Sequence, residues 1–166
     1  MDRYIKLALE NDAQHAKVIA PDDIVFDRRV ILKCKWGCED QFEPNRIKCG
    51  TRGLSFEEAK ETVHSYKQIL LIHHHDLVTL SRTARKIERA AFLDGFYLAS
   101  SLNCCHVCKN CSVDVGRPCP TPFKMRPCDQ SFGVDMYRTV RNLGLPCAPL
   151  QSKKEVPNRY AFVMID

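Results

Sequence analysis

Gln68-Ile-Leu-Leu-Ile-His73 is followed at once by His74-His75-Asp76 and then by Leu77-Val-Thr-Leu80-Ser-Arg-Thr-Ala84-Arg-Lys-Ile87-Glu-Arg-Ala-Ala91-Phe-Leu-Asp94-Gly95. The first piece is an apolar run of strand length. In the second, Leu77, Leu80, Ala84, Ile87 and Ala91 recur at helical spacing, and Asp94-Gly95 supplies a stop. A strand running into an amphipathic helix buries one face of each against the other, which points to a layered α/β or α+β domain.

The flanking sequence adds elements of the same kind. Ile24-Val-Phe and Val30-Ile-Leu, separated by Asp27-Arg-Arg, are rich in β-branched residues and predict strand material leading into Cys34. Ser55 with Glu58 three residues later is a capping-box signature, predicting a helix to about Tyr66. Phe96-Tyr-Leu-Ala fits a strand or a second helical piece. Asp135 suits the N-cap of a helix through Leu143 that stops at Gly144, and Tyr160 to Ile165 reads as a final strand. The expected architecture is α/β or α+β, with a mixed sheet, flanking helices and a cysteine-rich, loop-dominated metal-binding lobe. A single domain over 1–166 is expected, since domains commonly hold about 100–200 residues.

The segment from Asn103 to Cys128 breaks this pattern. Its periodicity vanishes and prolines stand at 118, 120, 122 and 127. A loop of about 25 residues without secondary structure is unusual inside a compact domain. It becomes reasonable where an inorganic group replaces the apolar core. Ten cysteines support that view. Cys34, Cys38 and Cys49 form one group, Cys104, Cys105, Cys108, Cys111, Cys119 and Cys128 a second, and Cys147 stands apart. The start of the chain lacks the apolar region and small-residue cleavage site of a secretory signal, and no apolar run approaches the roughly 18 residues of a membrane span. A cytoplasmic location is therefore expected, where thiols stay reduced and clustered cysteines usually mean metal or redox chemistry.

Cys105-His-Val-Cys108-Lys-Asn-Cys111, followed after seven residues by Cys119-Pro120, carries the most chemistry. Three cysteines at successive two-residue gaps can wrap a short loop so that each thiolate meets a different iron of a cubane, with the fourth arriving from farther along. A structural zinc site more often takes two separated knuckles. Cys105, Cys108, Cys111 and Cys119 are thus the expected cofactor ligands, for one [4Fe–4S] cluster, with Zn as the alternative. Cys34, Cys38 and Cys49 supply three further metal ligands, which Cys119 or Cys128 could complete into a second site. A [4Fe–4S] core with four thiolates carries a net charge of −2, so one would lower the formal +5 of the chain to about +3.

Other features read as bland. His73-His74-His75 is expected at a solvated strand end, with His73 and His75 on one face. Arg82, Arg85, Lys86 and Arg89 line one side of a helix and read as a solvated face, the other option being phosphate or an acidic partner. Trp36 suits either a shield over a cluster or a core residue. No P-loop, G-x-G-x-x-G, G-x-S-x-G or H-E-x-x-H motif is present, which lowers the odds of a nucleotide-driven or hydrolytic enzyme.

From about Asp27 onward the chain resembles an uncharacterised family of predicted cysteine-rich metal-binding proteins, frequent in methanogenic archaea and anaerobic bacteria. The resemblance is carried by Leu32-Lys-Cys34 with Gly37-Cys38, by Glu88-Arg-Ala-Ala-Phe-Leu-Asp-Gly95-Phe-Tyr-Leu-Ala and by the Cys105, Cys108, Cys111 triple. Cys119-Pro-Thr-Pro122-Phe-Lys-Met-Arg126-Pro127, Gly133-Val-Asp135 and the closing strand continue it. It implies ligands at Cys34, Cys38, Cys49, Cys105, Cys108, Cys111 and Cys119, and metal in iron–sulfur form, without an established reaction. The family commonly has serine where this chain has Cys128. Residues and resemblance together predict an electron-transfer or accessory cluster-holding protein of an anaerobic enzyme system rather than an enzyme. Its expected partner is a protein, a redox enzyme or maturation complex, and not a membrane or nucleic acid. Two alternatives stand beside this: a zinc or redox-silent cluster module that docks a protein or RNA, and a cluster with an open iron that performs catalysis.

Overall fold

A computed structural model describes residues 1–38 and 54–166. Five α-helices and four strands are present among them: α1 (Asp2–Leu9), β1 (His15–Ile19), α2 (Arg29–Gly37), α3 (Phe56–His64), β2 (Ile69–His74), α4 (Leu77–Leu93), β3 (Ser100–Leu102), α5 (Met136–Asn142) and β4 (Arg159–Met164). The strands form one sheet in the order β1-β2-β4-β3. The expected mixed sheet is antiparallel at each of these pairings, so the fold is α+β.

The register explains how one sheet feeds two cores. Leu71 lies opposite Phe162 and Ile72 opposite Ala161, and alternate residues point to opposite faces. Leu70, Ile72, Ala161 and Val163 pack with Tyr4 and Ala8 of α1 and with Leu80, Ala84, Ile87 and Ala91 of α4. Ile69, Leu71, Phe162 and Met164 pack on the other side with Ala59 and Val63 of α3 and Val140 of α5. β2 is buried on both faces, which is why its sequence is a continuous apolar run rather than an alternating one.

Capping sets several boundaries. The Ser55 hydroxyl accepts from the Glu58 N–H at 3.3 Å, and the Glu58 carboxylate accepts from the Ser55 N–H at 2.8 Å, closing the predicted capping box. Asp76 accepts from the Thr79 N–H at 2.8 Å to start α4, and Asp135 does the same for α5 through Arg138. Gly144 follows α5 at φ +73°, where a side chain would be strained.

Three sequence expectations are corrected. Val30-Ile-Leu lies in α2, not in a strand. The Asp27 carboxylate accepts from the Arg29 N–H at 2.9 Å and from the Arg29 guanidinium, and this starts a helix that overrides the β preference of Val30 and Ile31. Ile24-Val-Phe contributes only an isolated bridge, Phe26 with Val134. Phe96 to Ala99 is a turn leading into β3 rather than an element of its own.

Candidate metal centre

β3 pairs with β4 and delivers the chain directly into Asn103 and Cys104. From there the backbone leaves the sheet and crosses beside α4, returning at Pro127, whose carbonyl accepts from the Asn103 N–H at 2.9 Å. The intervening residues contain short 3-10 turns at Val113–Val115 and Pro122–Lys124 but no strand or α-helix. Their carbonyls are instead held by one edge of α4. The Ser81 hydroxyl donates to the Cys104 carbonyl at 2.9 Å, the Arg82 Nε to the Val107 carbonyl at 2.9 Å and the Arg85 guanidinium to the Lys124 carbonyl at 2.9 Å. One turn on, Glu88 accepts from the Ser101 N–H at 2.7 Å and from Arg126 Nε at 2.8 Å. Residues 81, 85 and 88 share a helix face, so a single helix clamps both ends of the loop. Burial pushes the Glu88 carboxyl up, but its bonds from Arg126 and Ser101 outweigh that and hold it below its ordinary value.

The loop borders two cavities. The smaller, about 120 Å³, is lined by Cys105, Cys108, Cys111 and Cys119, with Val113 and Met125 as apolar walls. The Cys105 thiol is pushed up by burial, and the nearby Cys111, Cys119 and Cys108 add to the effect. A thiol whose ionisation is opposed by burial and by neighbouring thiols becomes favourable as a thiolate only when a cation compensates it. The larger cavity, about 510 Å³, is bordered by Cys34 and Cys38 from α2 and the residue after it, and by Cys104, Cys105, Cys128 and Cys147.

Within the larger cavity three groups stand close together. Cys104 Sγ is 3.1 Å from Cys128 Sγ, and the Cys128 thiol donates to Asp129 Oδ1 at 3.4 Å. Among the described residues these are the three potential ligand atoms found within 4.8 Å of one another. The bond with Cys104, burial and the Asp129 charge push the Cys128 thiol well up, and burial raises the Asp129 carboxyl. The turn at Asp129–Phe132 fixes this corner, with the Ser131 hydroxyl donating to the Cys128 carbonyl at 2.7 Å. Asn103 borders the same cavity at 4% exposure. Its amide donates to Ser81 Oγ and to the Cys104 carbonyl, whereas its Oδ1 is buried without a hydrogen-bond partner.

A family model described as predicted metal-binding protein (DUF2284) matches residues 17–165. The chain belongs to that family. No curated relative and no solved structure matches it. Membership of DUF2284 makes metal binding the coarse function, and the donor set fits it. Clustered thiols with one carboxylate suit thiophilic ions rather than magnesium or calcium, which prefer all-oxygen cages. No helix among the described residues is long and apolar enough to cross a membrane.

The sequence-derived candidates of this DUF2284 chain fall into distinct places. Cys105, Cys108, Cys111 and Cys119 border one cavity, and Cys34, Cys38 and Cys128 the other, while Cys49 lies outside the described residues. The nine described cysteines are all unbridged. Trp36 is 77% exposed, so it is neither a shield nor core. His73 is buried rather than solvated: its Nε2 lies 2.9 Å from Asn158 Oδ1, and its ring stacks on Tyr160. Arg82 and Arg85, expected on a solvated face, turn onto the loop instead. Cys104 and Asp129 had not been singled out as ligands. Spacing alone gives them no signature, because they meet Cys128 only when the loop closes.

Proposed function

We propose that this protein carries a [4Fe–4S] cluster on Cys105, Cys108, Cys111 and Cys119 and serves as an electron-transfer or accessory cluster-holding component of a redox enzyme or maturation system. The observation that carries the reading is four thiols of one loop around one small cavity, in a segment that lacks sheet and α-helix. Thiolates sharing one tetrahedral zinc stand about 3.8 Å apart, given a Zn–S distance of about 2.3 Å. A triple at successive two-residue gaps with a fourth cysteine farther along suits ligands bound to separate irons. Such a cluster, when bound, supplies one-electron transfer.

The remaining work falls to the chain. α4 fixes the loop carbonyls, so the thiols are held before metal arrives, and Val113 and Met125 wall the cavity against water. Arg85 lies near Cys105, where its charge favours the thiolate. The docking-module alternative draws on a basic helical face, but Arg82 and Arg85 are engaged by the loop. A reducing compartment, with the cytoplasm as the expected location, keeps the thiols available.

Anaerobic purification followed by iron, sulfide and zinc assays and paramagnetic resonance tests this reading. The expected result is about four irons and four sulfides per chain, with a reducible cluster signal that Cys108→Ser and Cys111→Ser diminish. Colourless protein containing zinc and no sulfide would overturn it.

A further inference from the structure

We propose that Cys104, Cys128 and Asp129 form a second and separate site, which holds a single thiophilic divalent cation of the zinc class. The proposal does not depend on the cluster reading, because it uses none of the four loop ligands.

The geometry is that of one ion rather than a cluster. Around a tetrahedral zinc, with Zn–S about 2.3 Å and Zn–O about 2.0 Å, a sulfur and an oxygen stand about 3.5 Å apart. Cys128 Sγ and Asp129 Oδ1 are 3.4 Å apart. The Cys104 and Cys128 sulfurs, at 3.1 Å, need to open by about 0.7 Å to reach the roughly 3.8 Å of two thiolates on one ion. Two thiolates and a carboxylate bring three negative charges against the ion's two positive ones, so the cation removes most of the repulsion among these groups.

A second observation points the same way independently. Asn103 Oδ1 is a buried acceptor without a partner, on a residue that borders this cavity. A buried acceptor left unsatisfied is unfavourable, so it calls for a donor. Three protein ligands leave the ion a fourth position, and a water there, facing the 510 Å³ cavity, is the donor that Asn103 lacks. This is the ligand count of zinc sites that keep one exchangeable position, unlike the closed four-ligand structural kind.

Cobalt(II) is the probe. It is added without oxygen to the full chain carrying Cys108→Ser and Cys111→Ser, so that the loop cannot offer four thiolates. One equivalent is expected to give thiolate-to-cobalt charge-transfer absorption and tetrahedral visible bands. Adding Cys104→Ser or Cys128→Ser should abolish the charge-transfer band or halve it. Asp129→Asn, which keeps the side-chain volume, should weaken binding by about tenfold or more. Cys147→Ser, at a thiol no reading places among the ligands, should leave the spectrum unchanged. A spectrum untouched by Cys128→Ser and Asp129→Asn, or one lost with Cys147→Ser, would overturn the site. So would an anaerobic protein whose mass is short by two hydrogens through a Cys104–Cys128 cystine. Far-UV dichroism confirms that each variant is folded. Iron and sulfide assays on the chain with its loop intact judge the cluster reading separately.

Discussion

Arg85 and Arg89 stand one turn apart on α4 and carry the same charge, yet only Arg85 reaches the loop, through the Lys124 carbonyl. Arg89 is exposed. Arg85→Ala is therefore expected to lower stability by about 1.5–3 kcal/mol, the range for a lost charged hydrogen bond, and to reduce retained metal. Arg89→Ala should change neither. Thermal denaturation and metal analysis of the two variants side by side check this. Glu88→Gln strikes the same clamp harder, because it leaves Arg126 without its carboxylate, and a loss of about 2–4 kcal/mol is expected. At this scale the sequence was readable where cysteines follow one another in a short loop, as from Cys105 to Cys111, which border one cavity. It was silent where side chains from separate places converge. Nothing in the order of residues distinguishes Arg85 from Arg89, or brings Cys104 to Cys128.

Elements were legible in proportion to their length and their punctuation. α4 has both a strong apolar stripe and a cap, and α3 is announced by Ser55 and Glu58. Ser55→Ala should cost about 1 kcal/mol, measurable as a lower denaturation midpoint. The short α2 was misread because Val30 and Ile31 favour strands, while the bonds from Arg29 to Asp27 favour a helical start. Its packing against the turn at Asp129–Phe132 is a tertiary preference that no local pattern records. That turn ends at Gly133, with φ +76°, and a Cβ there would collide with a ring carbon of Phe56. Gly133→Ala combines backbone strain with a clash, and a loss of about 2–3 kcal/mol is expected. Denaturant unfolding would reveal it, and a near-neutral result would show that the Phe56 ring yields readily.

For the molecule as a whole, acid sensitivity is set partly in the sheet rather than in the loop. Burial holds the His73 imidazole below its ordinary value, the Asn158 bond opposes this, and His75, His15 and His74 act in the same direction as burial. An unfolded histidine takes up a proton near pH 6.5, whereas folded His73 resists it. The unfolded state therefore binds more protons as pH falls through about 6.5, and stability falls with it. Melting temperature should drop between about pH 7.5 and 5.5, and His73→Gln should flatten that slope. The alternation of Leu70, Leu71 and Ile72 between two faces explains why the overall layering was readable while the sheet's direction was not: strand pairing depends on which distant segments meet.

Cys104 borders only the larger cavity, while its neighbour Cys105 also borders the smaller one. Cys105 and His106 line both cavities and so form a wall common to them, and Ser81 holds the Cys104 carbonyl just before it. A substitution that frees the Cys104 carbonyl from Ser81 is therefore expected to disturb both linings together.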